Sequence, residues 1–179
     1  MHEPDLTNLT PELKKILDGK NNANVYRMLM HSPNLAPGFT AMADAVMWSK
    51  AWPASLRELA IVRVGYLYQS PYEVHQHRQI GRLVGLSSAQ LDACAVGADQ
   101  SALSDSERTV LRLTDSIVQN HTLTAPEREE ALELFNANQF ADFVITVGFY
   151  QLVSNFLNVF DVQREDHDLF PKPADENDD

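Results

Sequence analysis

Glu73 and His77 stand four residues apart, so on a helix they share one face. Fifteen residues earlier, Glu58 is a lone acid in an otherwise apolar run. Two carboxylates and an imidazole that can meet are the usual parts of a proton-transfer site. The elements that must position them are read from residues 56–85, LRELAIVRVGYLYQSPYEVHQHRQIGRLVG. This stretch predicts two helices joined by a short turn at Gln69, Ser70 and Pro71. Folding the second helix back on the first would place Glu58 against Glu73 and His77.

Each of these residues has a plainer reading. Ser55 and Glu58 have the spacing of a capping box, and so do Ser70 and Glu73, with Pro71 at the first helical position. Ser70 therefore reads as a helix cap rather than a nucleophile. His77 could be a histidine paired with Glu73 only for helix stability. His75 points to a different side and reads as a surface or subunit contact. Gly65 lies on the Glu58 face and lets a backbone or a ligand come close. Tyr66, Tyr72 and Trp48 are aromatic residues near the carboxylates in sequence and are the candidates for substrate binding. Arg63 needs a buried partner, and Cys94 reads as a small apolar residue. Glu58, Glu73 and His77 would also suit a two-carboxylate, one-imidazole metal triad. The remaining histidines (His2, His31, His121 and His167) lie in loops or tails without ligand spacing, so no metal and no other cofactor is expected.

The stretch resembles the carboxymuconolactone decarboxylase and alkylhydroperoxidase D (AhpD-like) superfamily. The peroxidase branch carries a Glu, then a Cys twelve residues on, within C-x-x-C-x-x-x-H. On this chain the Glu falls on Glu58, the two cysteines on Ser70 and Glu73, and the His on His77. The frame is kept and the redox pair is absent. The decarboxylase branch has E-x-x-x-H on the same helix, matched by Glu73 to His77. The similarity extends more weakly over residues 25–164. It implies an all-α, AhpD-like helical bundle that assembles as a dimer, trimer or hexamer, and catalysis by Glu58, Glu73 and His77 without a metal. The implied chemistry is proton transfer beside a carbonyl: decarboxylation, isomerisation or lactone chemistry on a small organic acid or lactone. A peroxidase activity implied by the family at large would lack its thiols. A non-catalytic homologue with a decayed site is the other alternative.

The 179 residues make one domain with tails: an N-terminal helical extension over 1–22, the family-like domain over 23–164 and an acidic tail over 165–179. Net charge is −11, which argues against nucleic-acid and anionic-membrane partners. The single cysteine allows neither an intrachain disulfide nor a C-x-x-C motif. A polar, acidic start predicts no signal peptide, and the longest apolar run is too short to span a bilayer, so a cytoplasmic location is expected.

Start and stop signals place about seven to nine helices along the chain. Thr10, Ser104 and Thr124 read as N-caps, and Asn138 leads into a final helix ending near residue 162. That last helix is apolar on most sides, which predicts burial by other helices or by a second subunit. No segment shows the alternation of a half-buried strand. The acidic residues after 163 read as a surface extension or a disordered tail.

Overall fold

The structure is a computed structural model and describes residues 2–167, 169 and 170. Among these residues all regular structure is helical, in nine helices. They are α1 (Pro11–Gly19), α2 (Asn24–Leu29), α3 (Ala36–Trp48), α4 (Ala54–Leu67), α5 (Pro71–Leu83), α6 (Ser88–Val96), α7 (Asp105–Asn120), α8 (Ala125–Leu134) and α9 (Ala137–Val159). The expected all-α class holds.

Local chemistry explains most helix starts. Thr10 caps α1 by accepting from the Leu13 amide. Reciprocal capping boxes open α6 (Ser87 with Gln90), α7 (Ser104 with Glu107), α8 (Thr124 with Glu127) and α9 (Asn136 with Gln139). The cap of α9 is thus Asn136, not Asn138, because Gln139 is the residue whose side chain can return to the cap amide.

Two expected capping boxes do not form. Pro53 holds the N-cap position of α4, so Ser55 lies inside its first turn and Glu58 beyond reach of a cap. Ser70 does hold the N-cap position of α5, but its hydroxyl makes no capping bond. The reason lies in the turn. Gln69 adopts a left-handed φ of 51°, the Ser70 amide donates to Gly65 O at 2.8 Å, and the Gln69 amide donates to Tyr66 O at 3.0 Å. This is a Schellman motif, which ends α4 and aims α5 with backbone bonds alone. The Glu73 carboxylate, freed from capping, turns to His77.

Helix α4 is the axis of the fold. It packs against α5, α6, α7 and α9, and every residue from Leu56 through Gly65 is buried. Three of those residues are charged: Arg57, Glu58 and Arg63. A buried charge is tolerated only with a partner. Arg63 finds Asp115 of α7 through two contacts, at 2.5 and 3.0 Å, and donates to Cys94 O at 2.9 Å.

Helix α9 is long and apolar enough to cross a membrane. Its Phe143, Val147, Tyr150, Val153 and Leu157 are nevertheless buried on one face in the core. The opposite face leaves Val144, Ile145, Leu152 and Val159 exposed. Within the chain, burial of this helix is therefore one-sided. Helix α1 adds a small second core, with Leu13 and Leu17 packed with Leu29, Met30 and Ala36.

Candidate active site

Helices α4 and α5 approach closely at Gly65. A Cβ there would lie 3.0 Å from Val74 Cγ2 and 3.3 Å from the Val74 amide nitrogen. The missing side chain thus makes room for the α5 backbone at Val74. This close crossing brings Glu58 on α4 against the Glu73–His77 face of α5.

The imidazole of His77 is held between the two carboxylates. Its Nδ1 lies 2.6 Å from Glu58 Oε2, and its Nε2 lies 3.0 Å from Glu73 Oε1. The second oxygen of Glu58 accepts from Arg57 Nε at 3.3 Å, and Arg57 also donates to Ser49 O at 3.3 Å. Glu58 is fully buried, and Arg57, Glu73 and His77 are nearly so. Burial alone pushes the imidazole toward its neutral form. The charges of Glu73 and Glu58, with the hydrogen bond to Glu58, push it further the other way, to a pKa of about 10. At neutral pH His77 is therefore an imidazolium. Two carboxylates then face one imidazolium and one guanidinium, so the buried cluster balances its charge, the condition that makes such burial tolerable.

Tyr150 of α9 packs edge-on against His77, with ring centroids 4.9 Å apart and planes at 81°. Its hydroxyl donates to a thioether, Met47 Sδ, at 3.1 Å. Burial, and then the charges of Glu73 and Glu58, hold this phenol well above the usual tyrosine range.

The same geometry bears on metal binding. The two ring nitrogens of His77 point in different directions, each at a separate carboxylate, so the three side chains do not face one common point. Among the described residues no group of three or more His, Cys, Asp or Glu side chains is arranged to hold a metal ion.

The aromatic candidates make their hydrogen bonds outside the trio. The Tyr66 hydroxyl accepts from Arg78 at 3.2 Å. The Tyr72 hydroxyl donates to Glu165 at 2.7 Å. Trp48, at the end of α3, is 78% exposed. A groove of about 530 Å³ runs beside the α4–α5 turn, lined by Tyr66, Gln69, Ser70, Val74, His75 and Arg78 among others, but by none of Glu58, Glu73 and His77. The Ser70 hydroxyl is buried there without a hydrogen-bond partner. Cys94 is fully buried on α6, and burial pushes its thiol up to about 12.

Three site residues escape a reading of the sequence. Arg57 had a signal, a second charge beside Glu58 in an apolar run. Tyr150 had none, because it comes from a distant helix. Glu165 sits in a segment whose acidity reads as a tail, yet its carboxylate is tied to α2 and α5.

The comparisons with known proteins agree with the all-α fold. Residues 33–116 match the carboxymuconolactone decarboxylase family. Over that stretch the chain is similar to the family, and it lacks the C-x-x-C pair of the AhpD-like branch. Among solved structures it resembles the AhpD core of an uncharacterized peroxidase-related protein from Ralstonia eutropha JMP134, with a TM-score of 0.82 at 22% identity over 93% of this chain and 92% of that one. It also resembles the debrominase Bmp8 in complex with 2,3,4-tribromopyrrole, with a TM-score of 0.74 at 14% identity over 91% and 92%. A protein of unknown function from Agrobacterium tumefaciens gives a TM-score of 0.70 at 16% identity over 78% and 96%. No curated protein matches the chain.

Proposed function

We propose that the protein is a carboxymuconolactone decarboxylase-like enzyme that moves a proton beside the carbonyl of a small organic acid or lactone. The observation that carries this reading is the pairing of both ring nitrogens of a buried His77 with carboxylates. An imidazolium so held is a proton donor at neutral pH. In a decarboxylation the bond to carbon dioxide breaks and its electron pair passes to the conjugated carbonyl. His77 then supplies the proton that carbon needs, and Glu58 and Glu73 orient the ring and stabilise its charge. Isomerisation of an unsaturated acid would use the same donor. A thiol peroxidase would need a reactive thiolate, and the one thiol in the chain is sealed in the core.

The experiment is a screen of the purified protein for carbon dioxide release from lactone and keto acids. Halogenated pyrroles are included because of the likeness to a debrominase. With a substrate in hand, His77→Ala and Glu73→Gln are expected to lose about 10²–10⁴-fold in rate, the usual worth of a positioned acid or base. A His77→Ala variant that turns the substrate over at the wild-type rate overturns the assignment.

The depth of the cluster favours a second reading, a non-catalytic homologue in which the trio only locks α4 to α5. Failure of every substrate class, with His77→Ala destabilised but unaltered in any binding, would support it. In either case we read the protein as a cytoplasmic homo-oligomer that acts without nucleic acid or membrane. The exposed Val144, Ile145, Leu152 and Val159 of α9 support the assembly. A single 20.1 kDa species in sedimentation at micromolar concentration would sink it.

A further inference from the structure

After α9 the chain turns back across the molecule. Asp161 takes a left-handed φ of 50°, and the Val162 amide donates to Leu157 O at 2.9 Å, a second Schellman turn. Asn24 Nδ2 then donates to Gln163 O at 2.9 Å. This delivers the Glu165 carboxylate to three donors. The Asn24 amide and the Tyr72 hydroxyl both reach Oε1 at 2.7 Å, and Gln76 Nε2 reaches Oε2 at 2.5 Å.

The two sides of this contact are unlike. Tyr72 and Gln76 are 4% and 6% exposed and are built into the wall of the fold. The carboxylate comes from an irregular segment, and its neighbours Arg164 and Asp166 are exposed. All three donors are neutral, and together they meet both oxygens of one carboxylate, the pattern that recognises an acid by charge-assisted hydrogen bonds without an ion pair. Gln76 Oε1 is buried there with no hydrogen-bond partner, so the seat retains an acceptor that Glu165 cannot satisfy. Tyr72 and Gln76 also form an i, i+4 pair directly beside the pair of Glu73 and His77 on α5.

We propose that Asn24, Tyr72 and Gln76 form a binding seat for the carboxylate of an organic acid, and that Glu165 is its intramolecular occupant, displaced when the acid binds. The seat would place an acid along the same helix as His77. What the bound acid then undergoes rests on the acid–base reading above; the binding itself does not. A tethered carboxylate competes at an effective concentration of order millimolar, so wild-type protein should bind a simple acid weakly and release the 163–165 strap as it does so.

The test uses the full chain, with propionate as probe and propionamide as its uncharged control, followed by calorimetry. Glu165→Ala is expected to bind propionate about tenfold or more tighter than the wild type, as removal of a tethered competitor requires. The double variant Glu165→Ala, Tyr72→Phe should lose that gain, and propionamide should bind none of the three. Equal propionate affinity in wild type and Glu165→Ala overturns the proposal, as does a gain that survives Tyr72→Phe. A second measurement needs no variant. Propionate should speed tryptic cleavage after Arg164 of the wild type by freeing the strap, and unchanged cleavage at saturating propionate overturns the proposal by itself. None of these readouts involves turnover, so an inert His77 and an absent carboxylate seat give distinguishable results.

Discussion

Glu58 and His77 sit on successive helices, and their side chains meet at 2.6 Å between Oε2 and Nδ1 with no solvent reaching the carboxylate. The contact makes a testable statement about charge. Replacing Glu58 with Gln keeps the shape and removes one of the two charges that hold the imidazolium. The His77 pKa is expected to fall from about 10 toward its ordinary value. Titration of the imidazole Cε1 proton by NMR measures this directly. An unchanged midpoint would mean that Glu58 does not govern the protonation of His77.

The same group links stability to pH. The folded-state pKa of His77 lies above the unfolded value of 6.5. Its stabilising contribution is therefore fully present below about 6.5 and is lost as pH rises through about 10. Urea midpoints should fall between pH 7 and pH 10, and His77→Gln should flatten that part of the profile. A wild-type profile that rises over this window contradicts the assigned protonation.

Ser70→Ala separates a capping serine from a buried one. An N-cap hydroxyl is worth about 0.5–2 kcal/mol. The Ser70 hydroxyl makes no cap bond and is buried without a partner, so its removal also lifts a desolvation cost of about 1–3 kcal/mol. Ser70→Ala is expected to leave stability unchanged or raise it, whereas Ser104→Ala, which breaks a formed capping box, should lower it by about 1 kcal/mol. Thermal or urea denaturation decides. A loss in Ser70→Ala equal to that in Ser104→Ala would place Ser70 among the caps after all.

Gly65→Ala tests the close crossing. The new methyl must displace Val74 and part of the α5 backbone, at an overpacking cost of about 1–3 kcal/mol, against a helix-propensity gain of about 1 kcal/mol. A net loss of stability is expected, with a change in the His77 imidazole resonance, because α5 carries that ring. Gly148→Ala is the control, since a Cβ there meets nothing within 4 Å. Gly65→Ala that is as stable as Gly148→Ala would show that the crossing has slack.

Cys94 should be inert in the folded protein. Its thiol is fully buried, donates weakly toward Leu59 O at 3.8 Å, and is pushed up to about 12. Alkylation by iodoacetamide at pH 8 is expected only after unfolding in guanidinium, and turnover of an alkyl hydroperoxide with a dithiol reductant is expected to be absent. Rapid alkylation of the native protein would refute the sealed position.

Much of the fold was legible in the chain because helix signals are local. Thr10, Ser104 and Thr124 each meet their partner within three or four residues, so type and spacing suffice. The pairing of Glu73 with His77 was legible for the same reason, since one turn of helix enforces it. The capping boxes expected at Ser55 and Ser70 show where that logic stops. A capping box needs the helix to start at its own serine, and Pro53 starts α4 two residues before Ser55, while Glu73, placed to cap, turns to His77 instead.

The remaining features depend on contacts between segments far apart in the chain. Sequence marked Arg63 as needing a partner but could not choose Asp115, because any acid on any neighbouring helix would have served. It gave no sign that Tyr150 would lie against the imidazole, or that the Glu165 carboxylate would return to α2 and α5. The protonation of His77 belongs to the same class. A lone Glu73 beside it would have raised its pKa against an unknown cost of burial; two carboxylates closing on one buried ring decide the direction, and their convergence exists only once α4 and α5 pack together at Gly65.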